Sequence, residues 1–89
     1  ELTEGEHIER EMMLIKLKAT GQHRDEVKRT VDIFRGQIVD VTSSIYTVQL
    51  IGDQGKLDAF ISAIGEAYVL ETVRTGVSGI GRGDKVLSI

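Results

Sequence analysis

The chain has 89 residues and a formal net charge of −3, with 40% hydrophobic and 28% charged residues. This length suits one domain, and the apolar content is high enough to argue against intrinsic disorder. The acidic balance argues against a dedicated nucleic-acid binder, which usually carries a basic surface. The absence of cysteine excludes a disulfide scaffold and cysteine-ligated metal sites, and no apolar run approaches the roughly 20 residues that span a bilayer.

The first predicted element is a strand that begins at Glu11, after a polar N-terminal segment. One face of it would carry Met13, Ile15 and Leu17, and the other Met12 and Leu14, which is the period-two pattern of a strand.

An amphipathic helix is predicted next, over residues 24–35. Its apolar stripe consists of Val27, Val31 and Phe34. Gly36 is well placed to end this helix as a residue in the left-handed conformation.

A strand over 37–42 completes the first strand-helix-strand unit, and a second unit of the same kind begins with a strand over 45–51. A short turn separates these two strands, which predicts an antiparallel hairpin. Asp53 is a good N-cap for a second helix, which we expect to end at Gly65 or to continue to Ala67. The apolar stripe of that helix consists of Leu57, Phe60, Ile61 and Ile64. A fourth strand over 69–77 and a glycine-rich, turn-rich tail complete the chain.

The predicted order, strand-helix-strand-strand-helix-strand, is typical of an α+β ferredoxin-like sandwich. Both helices would cover one face of a four-stranded antiparallel sheet. The second face mixes apolar and polar side chains, whereas a solvated face should be polar. Met12, Leu14 and Leu70 are therefore the candidate interface residues, although scattered surface apolar residues are also normal.

No pattern in the sequence indicates a catalytic, cofactor-binding or metal-binding residue. His7 and His23 lie outside any metal-ligand spacing, and no pair of carboxylates stands out as an acid and a base. Residues 52–56, GDQGK, are too short for a phosphate-binding Walker loop and favour a capping turn, although an anion at that helix start is physically possible. The glycines of residues 76–83 do not match the dinucleotide-binding fingerprint.

Four blocks of the sequence resemble the small regulatory subunit of acetohydroxyacid synthase, also called acetolactate synthase. They occur in the family's order and cover most of the chain, and the second and third are the most specific. The blocks are HIEREMMLIKLKA (7–19), RDEVKRTVDIFRGQIVDV (24–41), YTVQLIGDQGKLDAFI (46–61) and VLETVRTGVSGIGRGDK (69–85).

The matching part is the family's C-terminal domain, and the resemblance implies an ACT-related, ferredoxin-like fold. Residues 1–8 would then be a linker from a missing N-terminal ACT domain, 9–80 the regulatory domain and 81–89 a glycine-containing tail. The amino-acid effector sites would lie in the ACT domain, so none of their residues is assigned here.

The resemblance also implies a homodimer that is not itself an enzyme and that holds no cofactor. Its partner would be a catalytic subunit that carries thiamine diphosphate, magnesium and FAD. The pair would act in the cytoplasm, or in the plastid of a plant, on the route to branched-chain amino acids, with feedback by amino acids such as valine. Neither a membrane nor a nucleic-acid partner is expected.

Two other functions remain compatible with the residues alone, because a ferredoxin-like shape does not define a function. The first is a small-molecule-sensing module with another partner. The second is an enzyme, which would need a clustered catalytic set of side chains.

Overall fold

The computed structural model describes residues 7–81 and contains two helices and one antiparallel sheet. The ferredoxin-like βαββαβ fold predicted from the sequence is confirmed, with one additional strand. The elements are β1 (His7–Lys18), α1 (His23–Ile33), β2 (Gln37–Val41), β3 (Ile45–Gly52), α2 (Gln54–Ile64), a short 3-10 turn (Glu66–Tyr68), β4 (Val69–Arg74) and β5 (Ser78–Gly81).

The sheet has five strands instead of the predicted four, in the order β2-β3-β1-β4, with β5 also paired to β1. The segment Ser78–Gly81 was expected in a turn-rich region. It forms a strand because β1 begins at His7, four residues earlier than predicted, and so offers β5 a backbone edge. Ile80 lies opposite Ile8 in this pairing. The predicted domain boundary at residue 9 therefore falls inside β1, and the predicted tail over 81–89 lies outside the described residues apart from Gly81.

The core lies between the helices and one face of the sheet, as the two periodicities predicted. Alternate side chains of a strand point to opposite faces, and the buried set follows that rule in β1 and β3. It comprises Met13, Ile15, Leu17, Tyr46, Val48 and Leu50 from the sheet and Val27, Val31, Leu57, Phe60 and Ile64 from the helices. Each fully buried side chain of this size contributes about 1.5–3 kcal/mol through the hydrophobic effect.

The end of α1 differs from the prediction in one residue. Arg35, and not Gly36, adopts the left-handed conformation, with φ of 60°. The N–H of Arg35 donates to the carbonyl of Asp32 (3.1 Å) and that of Gly36 to the carbonyl of Val31 (2.8 Å), which is the Schellman arrangement. Position 36 favours glycine for a different reason, which is close packing against β3. A Cβ at this position would lie 3.1 Å from Cγ1 of Val48.

The ends of α2 follow the prediction. The carboxylate of Asp53 accepts a hydrogen bond from the backbone N–H of Lys56 at 2.8 Å, which satisfies one of the free donors of the first turn. Gly65 ends the helix with φ of 95°. Among residues 7–81, no helix has the length and apolar character needed to cross a bilayer.

Candidate docking face

The face of the sheet turned away from the helices, which we call the open face, carries the even-numbered side chains of β1 and their neighbours. Leu14 lies between Gln49 of β3 and Val73 of β4. Two residues earlier on β1, Met12 lies opposite Ile51. We call Met12, Leu14, Ile51 and Val73 the apolar row. Because Leu14, Ile51 and Val73 are 37%, 48% and 57% exposed, this row is accessible to solvent, whereas the solvated face of an ordinary antiparallel sheet is polar.

A shallow depression of about 210 Å³ lies in the middle of this face. Its lining residues come from three adjacent strands: Leu14, Ile15, Lys16, Thr47, Glu71 and Val73. A void of about 150 Å³ with apolar walls is enough to hold a benzene molecule, so the depression has room for one aliphatic side chain.

One ion pair borders the depression and leaves its local charge balanced. Nζ of Lys16 lies 2.8 Å from Oε1 of Glu71. This hydrogen bond lowers the pKa of Glu71 and raises the pKa of Lys16. The negative charge of Asp40 raises the pKa of Lys16 by a smaller amount. Both groups are largely exposed, so the pair favours specificity of contact over stability of the fold.

The predicted interface residues fall in two different places. Met12 and Leu14 lie on the open face, as expected. Leu70 does not join their row, because β4 shifts register between the partners of Lys16 and Leu17 and leaves Leu70 opposite no residue of β1. Its side chain is 51% exposed, but it stands apart from the depression.

Sequence reasoning missed Ile51, Val73, Ile8 and Ile80 as members of this face. The signal for Val73 was present in the alternation of β4, but the face to which it belongs depends on the pairing with β1. Arg74, the next residue, lies opposite Met13 and binds Asp58 of α2, which identifies the other side of β4 as the helix side.

A buried carboxylate ties the end of β4 to β1 and α2 on that helix side. Glu11 is only 5% exposed. Its two oxygens accept hydrogen bonds from Nη2 of Arg74 at 2.8 Å and from the backbone N–H of Gly76 at 3.1 Å, while Nη1 of Arg74 donates to Asp58 at 2.8 Å. The hydrogen bond with Arg74 is the main reason that the pKa of Glu11 lies below its ordinary range. The network holds the bend between β4 and β5.

Two other polar residues singled out in the sequence, His23 and Lys56, contact neighbouring groups. His23 stacks on Tyr68 with ring centroids 3.9 Å apart, and its Nδ1 lies 3.4 Å from Glu26. In the GDQGK segment, Nζ of Lys56 donates to the carbonyl of Ile51 at 3.1 Å, which directs this amine back to the strand. Within the described part of the chain, no group of three or more His, Asp or Glu side chains has the arrangement of a metal site.

Comparison with known proteins agrees with the resemblance seen in the sequence. The family described as "Small subunit of acetolactate synthase" matches residues 10–83. This match covers most of the chain. The chain belongs to the acetolactate synthase small-subunit family.

Individual relatives of this small-subunit chain lead to the same family. It is 58% identical over 88 residues to the acetolactate synthase isozyme 3 small subunit of Escherichia coli strain K12, covering 98% of this chain and 54% of that protein. It is also 58% identical over 85 residues to the acetolactate synthase small subunit of Haemophilus influenzae, covering 94% of this chain and 52% of that protein.

A solved structure supports the fold as well. The crystal structure of the acetolactate synthase small subunit from Thermotoga maritima superposes with a TM-score of 0.87 at 32% identity, covering 96% of this chain and 52% of that one. The chain therefore spans about half the length of the relatives that it matches.

Proposed function

We propose that this chain is a non-catalytic regulatory domain that supports dimerisation of the small subunit and activation and feedback control of the acetolactate synthase catalytic subunit. The observation that carries the proposal is the accessible apolar row of the open face around Leu14 and Val73. A surface of this kind in a domain of this size is typical of a docking site.

The regulatory effect must arise from contacts that differ between states of the catalytic subunit. A bound protein shifts an enzyme between conformations only to the extent that it binds one of them more tightly. Couplings of this kind are typically about 1–3 kcal/mol, or roughly 5- to 150-fold in an equilibrium. Burial of two or three additional aliphatic side chains in one state is sufficient for such a difference, at about 1.5–3 kcal/mol for each full burial.

The chemistry would reside entirely in the partner. Thiamine diphosphate, magnesium and FAD belong to the catalytic subunit in this proposal, and branched-chain amino-acid effectors such as valine bind to an ACT domain outside this sequence. The pair acts in the cytoplasm, or in the plastid where the source is a plant.

A second candidate is a small-molecule-sensing module with another partner, and the 210 Å³ depression beside Lys16 and Glu71 favours it. A zwitterionic ligand such as an amino acid would place its carboxylate near Lys16 and its apolar side chain on Leu14. Thermal-shift measurements with branched-chain amino acids separate the two candidates, because a ligand at 100 times its Kd stabilises a protein by about 2.7 kcal/mol. The regulatory proposal predicts no shift for this chain.

The direct experiment is capture of purified catalytic subunit by the immobilised chain. The doubly substituted Met12→Asp, Leu14→Asp variant should lose capture, because each carboxylate would have to be desolvated in the contact. Ile33→Asp is the matched control, since Ile33 is 71% exposed on α1 and lies outside the sheet. Unchanged capture and unchanged dimer mass for the double variant would remove the docking role from the open face.

A further inference from the structure

A small cleft lies in the helix layer, between the start of α1 and the end of α2, and is separate from the open face of the sheet. We call it the helix cleft. It has a volume of about 60 Å³, and its lining residues are His23, Glu26, Val27, Thr30, Ala63 and Ile64. A void of roughly 10–15 Å³ is enough to hold one water molecule, so the helix cleft has room for a polar group of a few heavy atoms.

The imidazole ring of His23 has one nitrogen without a partner. Its Nε2 is buried and is the only buried side-chain nitrogen or oxygen within residues 7–81 that lacks a hydrogen bond. The ring stacks on Tyr68, and Nδ1 lies 3.4 Å from the carboxylate of Glu26. A buried polar atom costs free energy until it is paired, so a ligand would be stabilising at the Nε2 edge of the ring.

The polar side chains of the helix cleft can accept hydrogen bonds but have no free donor. The carboxylate beside Nδ1 favours the tautomer of His23 that carries its proton there, which leaves a lone pair on Nε2. The hydroxyl of Thr30 donates its one proton to the backbone carbonyl of Glu26 at 3.0 Å, so its oxygen is otherwise an acceptor. The carboxylate of Glu26 has only acceptors. A ligand that pairs with these three groups must therefore be a hydrogen-bond donor.

The charges around the helix cleft favour a positive ligand. Ala63 and Ile64 belong to the last turn of α2, where the negative end of the helix dipole lies, and that turn contains no basic residue. The positive end of α1 is also near, but Asp25 and Glu26 in the first turn of that helix oppose it. The lining of the cleft contains neither lysine nor arginine, so a cation there would meet no like charge from these side chains.

The remaining walls of the cleft are aliphatic and limit the shape of the ligand. Val27, Ala63 and Ile64 line it beside the acceptors. A protonated primary amine offers three N–H donors on one compact group, and a short methylene stem would pack on these residues. A guanidinium is planar and wider, and a free amino acid would bring a carboxylate for which no lining side chain has a donor.

We propose that the helix cleft binds a primary alkylammonium group, with Nε2 of His23, the carboxylate of Glu26 and the hydroxyl of Thr30 as its hydrogen-bond acceptors. Two sources carry this chemistry, a free aliphatic amine and a lysine side chain of the catalytic subunit. The site goes beyond the proposed function and does not involve the open face, so the two can fail separately.

NMR titration of the isotope-labelled chain with n-butylammonium chloride tests the site directly. The Nε2 resonance of His23 should shift and saturate. Tetramethylammonium, which has the charge but no N–H donor, should bind about tenfold more weakly or less, because the hydrogen bonds to the charged group are lost. Equal binding of the two cations would overturn the proposal, and so would the absence of a saturable shift, which is the result expected if a water molecule alone pairs with Nε2.

Two variants of α1 separate the site from a general effect of charge. Glu26→Gln removes a carboxylate from the cleft, whereas Asp32→Asn removes one from the same helix outside the cleft, where it pairs with Lys28 at 3.0 Å. The amide resonance of Ala63 should report an affinity for n-butylammonium that falls about tenfold or more in Glu26→Gln and is unchanged in Asp32→Asn. Circular dichroism confirms that both variants fold. Equal losses in the two variants would refute the assigned acceptor.

His23→Phe removes Nε2 but keeps a ring that can stack on Tyr68. It should bind n-butylammonium about tenfold more weakly or less, and unchanged binding would overturn the site. Capture of the purified catalytic subunit by this variant then identifies the source, because reduced capture indicates a lysine side chain of that subunit and unchanged capture indicates a free amine. The Met12→Asp, Leu14→Asp variant should keep its affinity for n-butylammonium even where it loses capture, which distinguishes this site from the open face.

Discussion

Arg35 ends α1 in a left-handed backbone conformation, and its replacement by glycine should stabilise the domain. Its exposed side chain makes no hydrogen bond or ion pair within residues 7–81, so little is lost with it. A non-glycine residue in this conformation costs about 1–2 kcal/mol, and glycine loses about 0.5–1 kcal/mol more conformational entropy on folding. The balance predicts that Arg35→Gly raises the free energy of unfolding by about 0.5–1 kcal/mol.

Gly36→Ala is the companion variant and should have the opposite effect. Its new Cβ would lie 3.1 Å from Cγ1 of Val48 and 3.2 Å from Cγ1 of Val31, and both are fully buried. Overpacking of this kind typically costs about 1–3 kcal/mol.

Urea unfolding monitored by circular dichroism measures both effects, and a change of 1 kcal/mol shifts the Tm of such a domain by about 4–8 °C. If Arg35→Gly were destabilising, the left-handed position would have been assigned to the wrong residue and the packing argument at Gly36 would fail with it.

Three further variants probe the network, the cap and the core. Glu11→Gln should make the free energy of unfolding less dependent on pH between pH 7 and pH 3. The pKa of Glu11 is lowered in the folded state, so its carboxylate stabilises the fold above the ordinary pKa of 4.5, and this stabilisation is lost as the pH falls through the folded-state pKa. Parallel stability curves for the variant and the unsubstituted chain would contradict this expectation. Asp53→Ala should lower the free energy of unfolding by about 0.5–2 kcal/mol through loss of the cap, whereas Asp53→Asn, which keeps an acceptor, should restore most of it in urea titrations. Phe60→Ala should cost about 3–5 kcal/mol, measured by thermal unfolding, and a loss below 1 kcal/mol would place Phe60 outside the core.

The core could be predicted from the sequence because it depends on spacing alone. The alternation Met13, Ile15, Leu17 and the stripe Leu57, Phe60, Ile61, Ile64 each define one face of one element. Both faces are buried as expected except at Ile61, which is partly buried and packs against the core. The cap at Asp53 followed from side-chain chemistry that acts over three residues.

The composition of the open face could be predicted only in part, because it depends on contacts between distant strands. Leu70 and Val73 belong to one strand, and only its pairing with β1, including the register shift between the partners of Lys16 and Leu17, shows which of them stands beside Leu14. The strand Ser78–Gly81 has no alternation to detect, since Ile80 is its one large side chain, and it forms because β1 supplies its hydrogen-bonding partners.

The proposal that the open face is the surface through which this domain acts on an acetolactate synthase catalytic subunit is tested by titration of activity. Purified catalytic subunit is titrated with the chain while acetolactate formation is recorded, for the unsubstituted chain, for Val73→Asp and for the control Ile33→Asp. We expect the unsubstituted chain and Ile33→Asp to change the rate to the same extent, and Val73→Asp to require at least tenfold more protein for the same change. Three superimposable titration curves would contradict it.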